Sequence, residues 1–319
     1  MRESKNPDNK ICSNFTPPIW CKGGHRQTIL SNLLRPAVDI GADRIRINTP
    51  DQDFLDMDLK VHENSEKVAI LFHGLEGSSK RYYITRFARV LYQNGYSIVA
   101  VNFRSCSGDM NRKRRFYHSG EIDDLDTAFQ WTVENFQNCR LFAAGYSLGA
   151  SCLLNYLRRY QTAHPLQAVA AISTPFDLKK GSLNLDSGFN RIYNLYFLRS
   201  LAEKAKIKRM KYPDIPEFTG KTLYEFDDQI TAPLHGFEDA DDYYETCSSA
   251  FFMHQIQSPV LIIHSKHDPL CPLEYTPVDE IRKNRNLEPC FVDKGGHVGF
   301  WSKSGHWLER NILKYFDGF

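Results

Sequence analysis

Arg140-Leu141-Phe142-Ala143-Ala144-Gly145-Tyr146-Ser147-Leu148-Gly149-Ala150-Ser151-Cys152-Leu153-Leu154-Asn155-Tyr156 is the stretch on which the reading of this chain turns. Leu141 to Ala144 is a short apolar run, the length of a buried strand. After the turn, Leu148, Cys152, Leu153, Tyr156 and Leu157 recur at helical spacing. Strand, tight turn and helix are the context that a G-x-S-x-G motif needs, here Gly145-Tyr146-Ser147-Leu148-Gly149. The flanking glycines fit where no side chain can approach the neighbouring backbone. The pattern predicts a serine hydroxyl held at a helix N-terminus, above the end of a sheet.

Outward from this stretch the chain alternates strand and helix. Val68 to Phe72 and Ser97 to Asn102 read as buried strands, with a helix from Arg81 to Asn94 between them. Glu121 to Phe136 reads as a helix whose Glu121, Asp123 and Asp124 suit its N-terminal dipole. Ala168 to Ser173, Val260 to Ser265 and Pro289 to Asp293 complete the strands, and Trp307 to Phe316 is a closing helix. Upstream, Asp43 to Asn48 and Phe54 to Val61 alternate apolar and polar residues about a turn, as an antiparallel pair does. The pattern predicts an α/β fold with a mostly parallel, doubly wound sheet.

Phe176 to Ser249 breaks this rhythm and reads as a helical lid insertion, at about 176–250, with a long helix from Asn190 to Met210. Residues 1–16 are expected to be a flexible N-terminus and 17–319 one domain, with Pro17 to Pro36 an arm packed on it. In the long helix Tyr196, Phe197 and Leu198 are expected to meet the substrate, while Lys204, Lys206, Lys208, Arg209 and Lys211 stay in solvent.

Composition bounds the function. A chain of 319 residues with 42% hydrophobic residues can bury a sizeable core. A formal net charge of +2 gives no basis for nucleic-acid binding. The eight cysteines are scattered without C-x-x-C spacing, so no metal site is expected, and several read as small core hydrophobes. Met1 to Lys10 lacks an apolar leader-like run, and no run approaches membrane-spanning length. The expectations are a cytoplasmic, reducing setting, a monomer, no cofactor, and a small-molecule or lipid ester as the partner.

A serine hydroxyl needs a base, and the base needs a group that holds it. In a doubly wound sheet both must lie beyond the C-terminal strand ends. Asp268 follows the strand Val260 to Ser265, and His297 lies between Gly296 and Val298 after the last strand. Asp293 and His306 are the next candidates for acid and base. The order Ser147, Asp268, His297 is that of α/β-hydrolases. The oxyanion of a tetrahedral intermediate needs backbone donors. Leu148, after the serine, supplies one, and Leu75, in the loop after Phe72, is the expected second.

Taken together, these residues resemble the YheT-like branch of the α/β-hydrolases, the fourth AB-hydrolase family. The resemblance runs from about Pro17 to the C-terminus. It rests on His25-Arg26-Gln27-Thr28, Phe72-His73-Gly74-Leu75-Glu76-Gly77, Asn102-Phe103-Arg104-Ser105-Cys106-Ser107-Gly108, Tyr117-His118-Ser119-Gly120-Glu121 and the serine motif. Glu225-Phe226-Asp227-Asp228 with Thr231-Ala232-Pro233, Asp242-Tyr243-Tyr244 and Gly296-His297-Val298-Gly299-Phe300 complete it. The resemblance implies an α/β-hydrolase fold and ester hydrolysis of carboxylesterase or acylglycerol-lipase type. Two departures bear on local packing: Ala150 where a second glycine is usual, and Ser105 where glycine is usual. The same triad could serve a thioesterase or peptidase. A non-catalytic binding protein of this fold is the reading from another class, and an intact set of triad residues speaks against it.

Overall fold

The computed structural model describes residues 12–319. In chain order its elements begin with α1 (Gly24–Leu34), β1 (Asp43–Asn48), β2 (Phe54–Lys60), β3 (Lys67–Phe72), α2 (Tyr82–Gln93), β4 (Tyr96–Asn102) and α3 (Asp123–Asn135). Then come β5 (Arg140–Tyr146), α4 (Leu148–Tyr160) and β6 (Leu166–Ile172). The insertion carries α5 (Leu178–Leu185), α6 (Arg191–Lys211), α7 (Leu223–Phe226), a π-helical turn (Asp227–Thr231), α8 (Ala232–His235) and α9 (Ala240–Cys247). The chain closes with β7 (Val260–Ser265), α10 (Val278–Lys283), β8 (Leu287–Val292) and α11 (Trp307–Phe316).

The strands form one sheet in the order β1-β2-β4-β3-β5-β6-β7-β8. β2 runs antiparallel to both its neighbours and every other pair is parallel. The continuous apolar runs of the central strands have a simple cause, since both faces of the sheet are covered. Val68, Ile70 and Phe72 of β3 feed one core while Ala69 and Leu71 feed the other. β5 does the same, with Leu141 and Ala143 on one face and Phe142, Ala144 and Tyr146 on the other. α3 and α4 cover the first face, α2 and α11 the second. β3 and β5 are paired neighbours with Phe72 opposite Gly145, so the loops leaving their C-terminal ends lie side by side. This is the strand-order reversal where doubly wound sheets place their sites.

The expected flexible terminus falls largely on residues 1–11, outside the described residues. Within residues 12–16, Cys12 and Phe15 are half-buried and Ser13, Asn14 and Thr16 are exposed. Cys12 is joined to Cys290 of β8 by a disulfide, the Phe15 ring meets Trp307 edge-on at 5.0 Å, and the Ser13 amide donates to Asn311 Oδ1 at 2.9 Å. The sequence reading, which expects a reducing setting and pairs no cysteines, does not anticipate this disulfide. Spacing carries no signal for a pair 278 residues apart. No helix among the described residues is long and apolar enough to cross a membrane.

Candidate active site

The turn between β5 and α4 is as sharp as the glycine pattern requires. Ser147 has φ 53° and ψ −119°, a conformation that side chains rarely adopt. A Cβ on Gly145 would lie 2.4 Å from the carbonyl oxygen of Gly149, and one on Gly149 would lie 2.6 Å from that of His73. Both obstacles are backbone. The Ser147 amide donates to the Ile172 carbonyl at 2.8 Å and ties the turn to β6. Ala150 is fully buried in the α4-side core, so its methyl is absorbed there. Ser105 has φ 63°, which accounts for glycine being usual at this position, and its hydroxyl donates to Asn111 Oδ1 at 2.6 Å.

Two distant loops converge on this serine. His297 Nε2 lies 2.7 Å from Ser147 Oγ, and His297 Nδ1 lies 2.8 Å from Asp268 Oδ2. The Asp268 carboxylate is 2% exposed, and its other oxygen accepts the amides of Leu270 at 2.9 Å and Cys271 at 3.1 Å. A carboxylate anchored this way orients the imidazole and fixes which of its nitrogens carries hydrogen. The alternative acid, Asp293, is exposed and paired with Lys266 at 2.6 Å. His306 sits beside Glu309 at 3.6 Å, at the start of α11. The potential ligand atoms of Asp268, Cys271 and His297 lie within 4.8 Å of one another, and two of these residues are engaged with each other.

Residues outside the expected set hold His297. Its amide donates to Thr28 Oγ1 at 2.9 Å, and the Ser173 hydroxyl donates to its carbonyl. Gln27 holds the same loop from α1, donating to the Trp301 carbonyl at 3.0 Å and accepting the Trp301 amide at 2.7 Å. A Cβ on Gly299 would lie 2.0 Å from the Gln27 carbonyl oxygen. Gln27 and Thr28 belong to the His25-Arg26-Gln27-Thr28 motif, so the sequence marked them without giving the reason.

Beside the serine, the loop after β3 presents its amides. The Gly74 amide donates to Tyr83 Oη at 3.2 Å, the Glu76 amide to Tyr117 Oη at 2.9 Å, and the Gly77 amide to the Gly74 carbonyl at 2.9 Å. Leu75 N–H has no partner among the described residues. Neither has Leu148 N–H, at the first position of α4 where no preceding turn supplies an acceptor. Gly74 O, on the same peptide plane as Leu75 N–H, also accepts from His73 Nδ1 at 2.7 Å, while His73 Nε2 accepts the Phe103 amide at 3.1 Å. Burial pulls the His73 imidazole down to about 3, so it stays neutral and its tautomer is fixed by these two bonds.

A cavity of about 110 Å³ opens from Ser147 into the insertion. Leu178 and Leu185 of α5, Phe197 and Leu201 of α6, and Phe226 and Ile230 line it. Of the three residues expected to meet substrate, only Phe197 is among them. Tyr196 is half exposed in an outer groove with its hydroxyl 2.7 Å from Arg81 Nη2, and Leu198 is buried in the core. The cause is helical geometry: Phe197 and Leu201 share a face, and the residues flanking Phe197 point about 100° to either side. The lysines need a correction too. Lys206, Arg209 and Lys211 are exposed as expected, whereas Lys204 binds Glu76 at 2.8 Å and Lys208 is 3% exposed. Lys208 donates to the carbonyls of Lys113 at 2.8 Å and Arg115 at 3.3 Å, and lies over the Phe116 ring at 4.2 Å. The lining also includes Asp227, which burial pushes up to about 6, and His235, which burial pulls down to about 4.

The family model for the alpha/beta hydrolase fold matches residues 68–304. The chain is 34% identical over 315 residues to an Escherichia coli protein named "Putative esterase YheT", covering 94% of this chain and 92% of that one. It is 27% identical to "Phospholipase ABHD3" of Homo sapiens, over 96% of this chain and 79% of that protein. Among solved structures, the Pyrococcus furiosus esterase PF2001 superposes with a TM-score of 0.59 at 17% identity, over 97% and 99% of the two chains, a likeness of fold.

Proposed function

The chain belongs to the α/β-hydrolase family, in its YheT-like branch, and on that premise we propose that it is a serine hydrolase of carboxylic esters. The observation that carries this reading is the hydrogen-bond relay from Ser147 through His297 to Asp268, at 2.7 and 2.8 Å. In this reading Ser147 Oγ attacks the ester carbonyl as His297 Nε2 takes its proton. Asp268 holds the imidazole and stabilises the imidazolium. The oxyanion of the tetrahedral intermediate accepts from the amides of Leu75 and Leu148. His297 then protonates the leaving alcohol, leaving an acyl-serine. Water attacks that acyl-enzyme by the same route, with His297 again as base. The insertion serves as a lid whose Phe197 and Leu201 receive the acyl chain. Relatives named as an esterase and a phospholipase are in keeping with an ester substrate.

The test is turnover of p-nitrophenyl butyrate by wild type and Ser147→Ala. Loss of a member of such a triad lowers turnover by about 10⁴-fold or more. A folded Ser147→Ala protein that keeps most of its activity would refute the proposal.

A further inference from the structure

We propose that Glu76 is a positioning residue that fixes the Leu75 amide and couples it to helix α6 of the insertion. The proposal rests on the serine-hydrolase reading above and extends it to the loop after β3. Glu76 has φ 51°, in the left-handed region, where a long side chain gains nothing from its own backbone. Such a conformation persists where the surroundings over-determine it, and here they do. The carboxylate is buried and accepts from three donors: Tyr117 Oη at 2.9 Å, Lys204 Nζ at 2.9 Å, and the Ser200 hydroxyl. The Glu76 amide in turn donates to Tyr117 Oη at 2.9 Å, so one phenol closes a ring between the side chain and its own backbone.

The consequence falls on the neighbouring peptides. Gly74 O accepts two bonds, from the Gly77 amide and His73 Nδ1, which orients the plane shared with Leu75 N–H. In a trans peptide the N–H points opposite the C=O, so Leu75 N–H is turned away from both. Glu76 fixes the next plane. Leu75 thus sits between two anchored peptides, and its own amide is left to a ligand. Two of the three carboxylate partners, Ser200 and Lys204, come from α6, one and two helical turns from the cavity-lining Phe197. Glu76 and Lys204 line both the cavity and the outer groove, so this contact is the seam between them. The helix that walls the cavity and the loop that offers the oxyanion donor are therefore one mechanical unit.

A carboxylate that only balanced Lys204 would matter to stability and not to the transition state. Kinetics of Glu76→Gln, Lys204→Met, Ser200→Ala and the Glu76→Gln/Lys204→Met double variant separate the two roles. Removing an oxyanion donor lowers kcat by about 10²–10³-fold, and misplacing one should lower it by part of that. Glu76→Gln is expected to lose about tenfold to hundredfold in kcat with KM changed less than about threefold. Affinity for an alkyl trifluoromethyl ketone, whose serine adduct carries the oxyanion, should fall by the same factor as kcat/KM. The double variant should be no worse than the poorer single one, because both break one contact. Should Glu76→Gln fail to fold, Ser200→Ala and Lys204→Met remove the α6 partners alone and must show the same parallel loss. Unchanged kcat and ketone affinity in folded variants would overturn the proposal. So would a loss confined to the melting temperature. A wild type that neither hydrolyses esters nor binds the ketone would instead refute the serine-hydrolase reading itself.

Discussion

The two walls of the cavity are built by different means. On the sheet side, backbone does the positioning: a strained serine between two glycines, two amides without partners among the described residues, and loops aligned by the pairing of β3 with β5. On the insertion side, long polar side chains do it: Lys204 reaches Glu76, Lys208 reaches carbonyls of the 113–115 segment, and Tyr196 reaches Arg81. A backbone device depends on residue type at a fixed spacing and tolerates no added atom. A side-chain device depends on what lies across the fold. The sheet wall should therefore fail abruptly when changed, and the insertion wall by degrees.

The largest contrast is between two aspartates. Asp268→Asn should lower turnover by about 10⁴-fold, as loss of the tautomer-fixing acid does in such triads, while Asp293→Asn leaves it unchanged. The reverse result would move the acid to Asp293. Next comes Gly149→Ala. Its Cβ would press on backbone carbonyls of His73 and Phe72 at 2.6 and 2.8 Å. Overpacking of this kind typically costs about 1–3 kcal/mol, here with loss of activity, whereas Leu195→Ala on the exposed face of α6 should leave the urea midpoint unmoved.

The third prediction concerns the titratable groups that line the cavity. Burial holds His235 near 4, while an unfolded imidazole titrates at about 6.5. Between those values the unfolded chain binds more protons than the folded one, so stability drops as pH falls through that window. Burial also pulls His118 well below its usual value, with the same sign. Asp227, pushed up to about 6, acts in the opposite sense, since its folded carboxyl takes a proton first. His235→Gln should remove about 2 kcal/mol of the stability change between pH 7 and pH 5, read from urea midpoints. An unchanged acid limb would show that His235 is not held neutral. The smallest effect separates neighbours on α6. Phe197→Ala should lower kcat/KM for an octanoate ester about tenfold relative to acetate, since a buried methylene contributes about 0.8 kcal/mol. Tyr196→Ala should change both esters equally or not at all. If Tyr196→Ala alters chain-length preference and Phe197→Ala does not, the acyl chain runs in the outer groove.

The contrast between the walls also explains what could be read from sequence. The strands, the sharp turn at Ser147 and the loop positions of Asp268 and His297 follow from apolar runs, glycine spacing and strand order, all local signals. The insertion's long helix was legible for the same reason. Its facing was not. Tyr193, Leu195, Tyr196, Phe197, Leu198 and Leu201 form a broad apolar band, and only tertiary packing decides that Phe197 meets the cavity, Leu198 the core and Leu195 solvent. Lys204 and Lys208 look like solvated charges until Glu76 and the carbonyls of residues 113 and 115 are brought to them. Thr28 and Ser173 hold His297 across more than 120 residues, which no spacing announces.

The most direct measurement is the mass of the protein after reaction with an alkyl fluorophosphonate, followed by mapping of the adduct. A single phosphonyl group on Ser147, absent from Ser147→Ala and formed far more slowly by His297→Ala, is the predicted result. Ester hydrolysis by an enzyme left unmodified, or modified at another residue with Ser147 free, would contradict it.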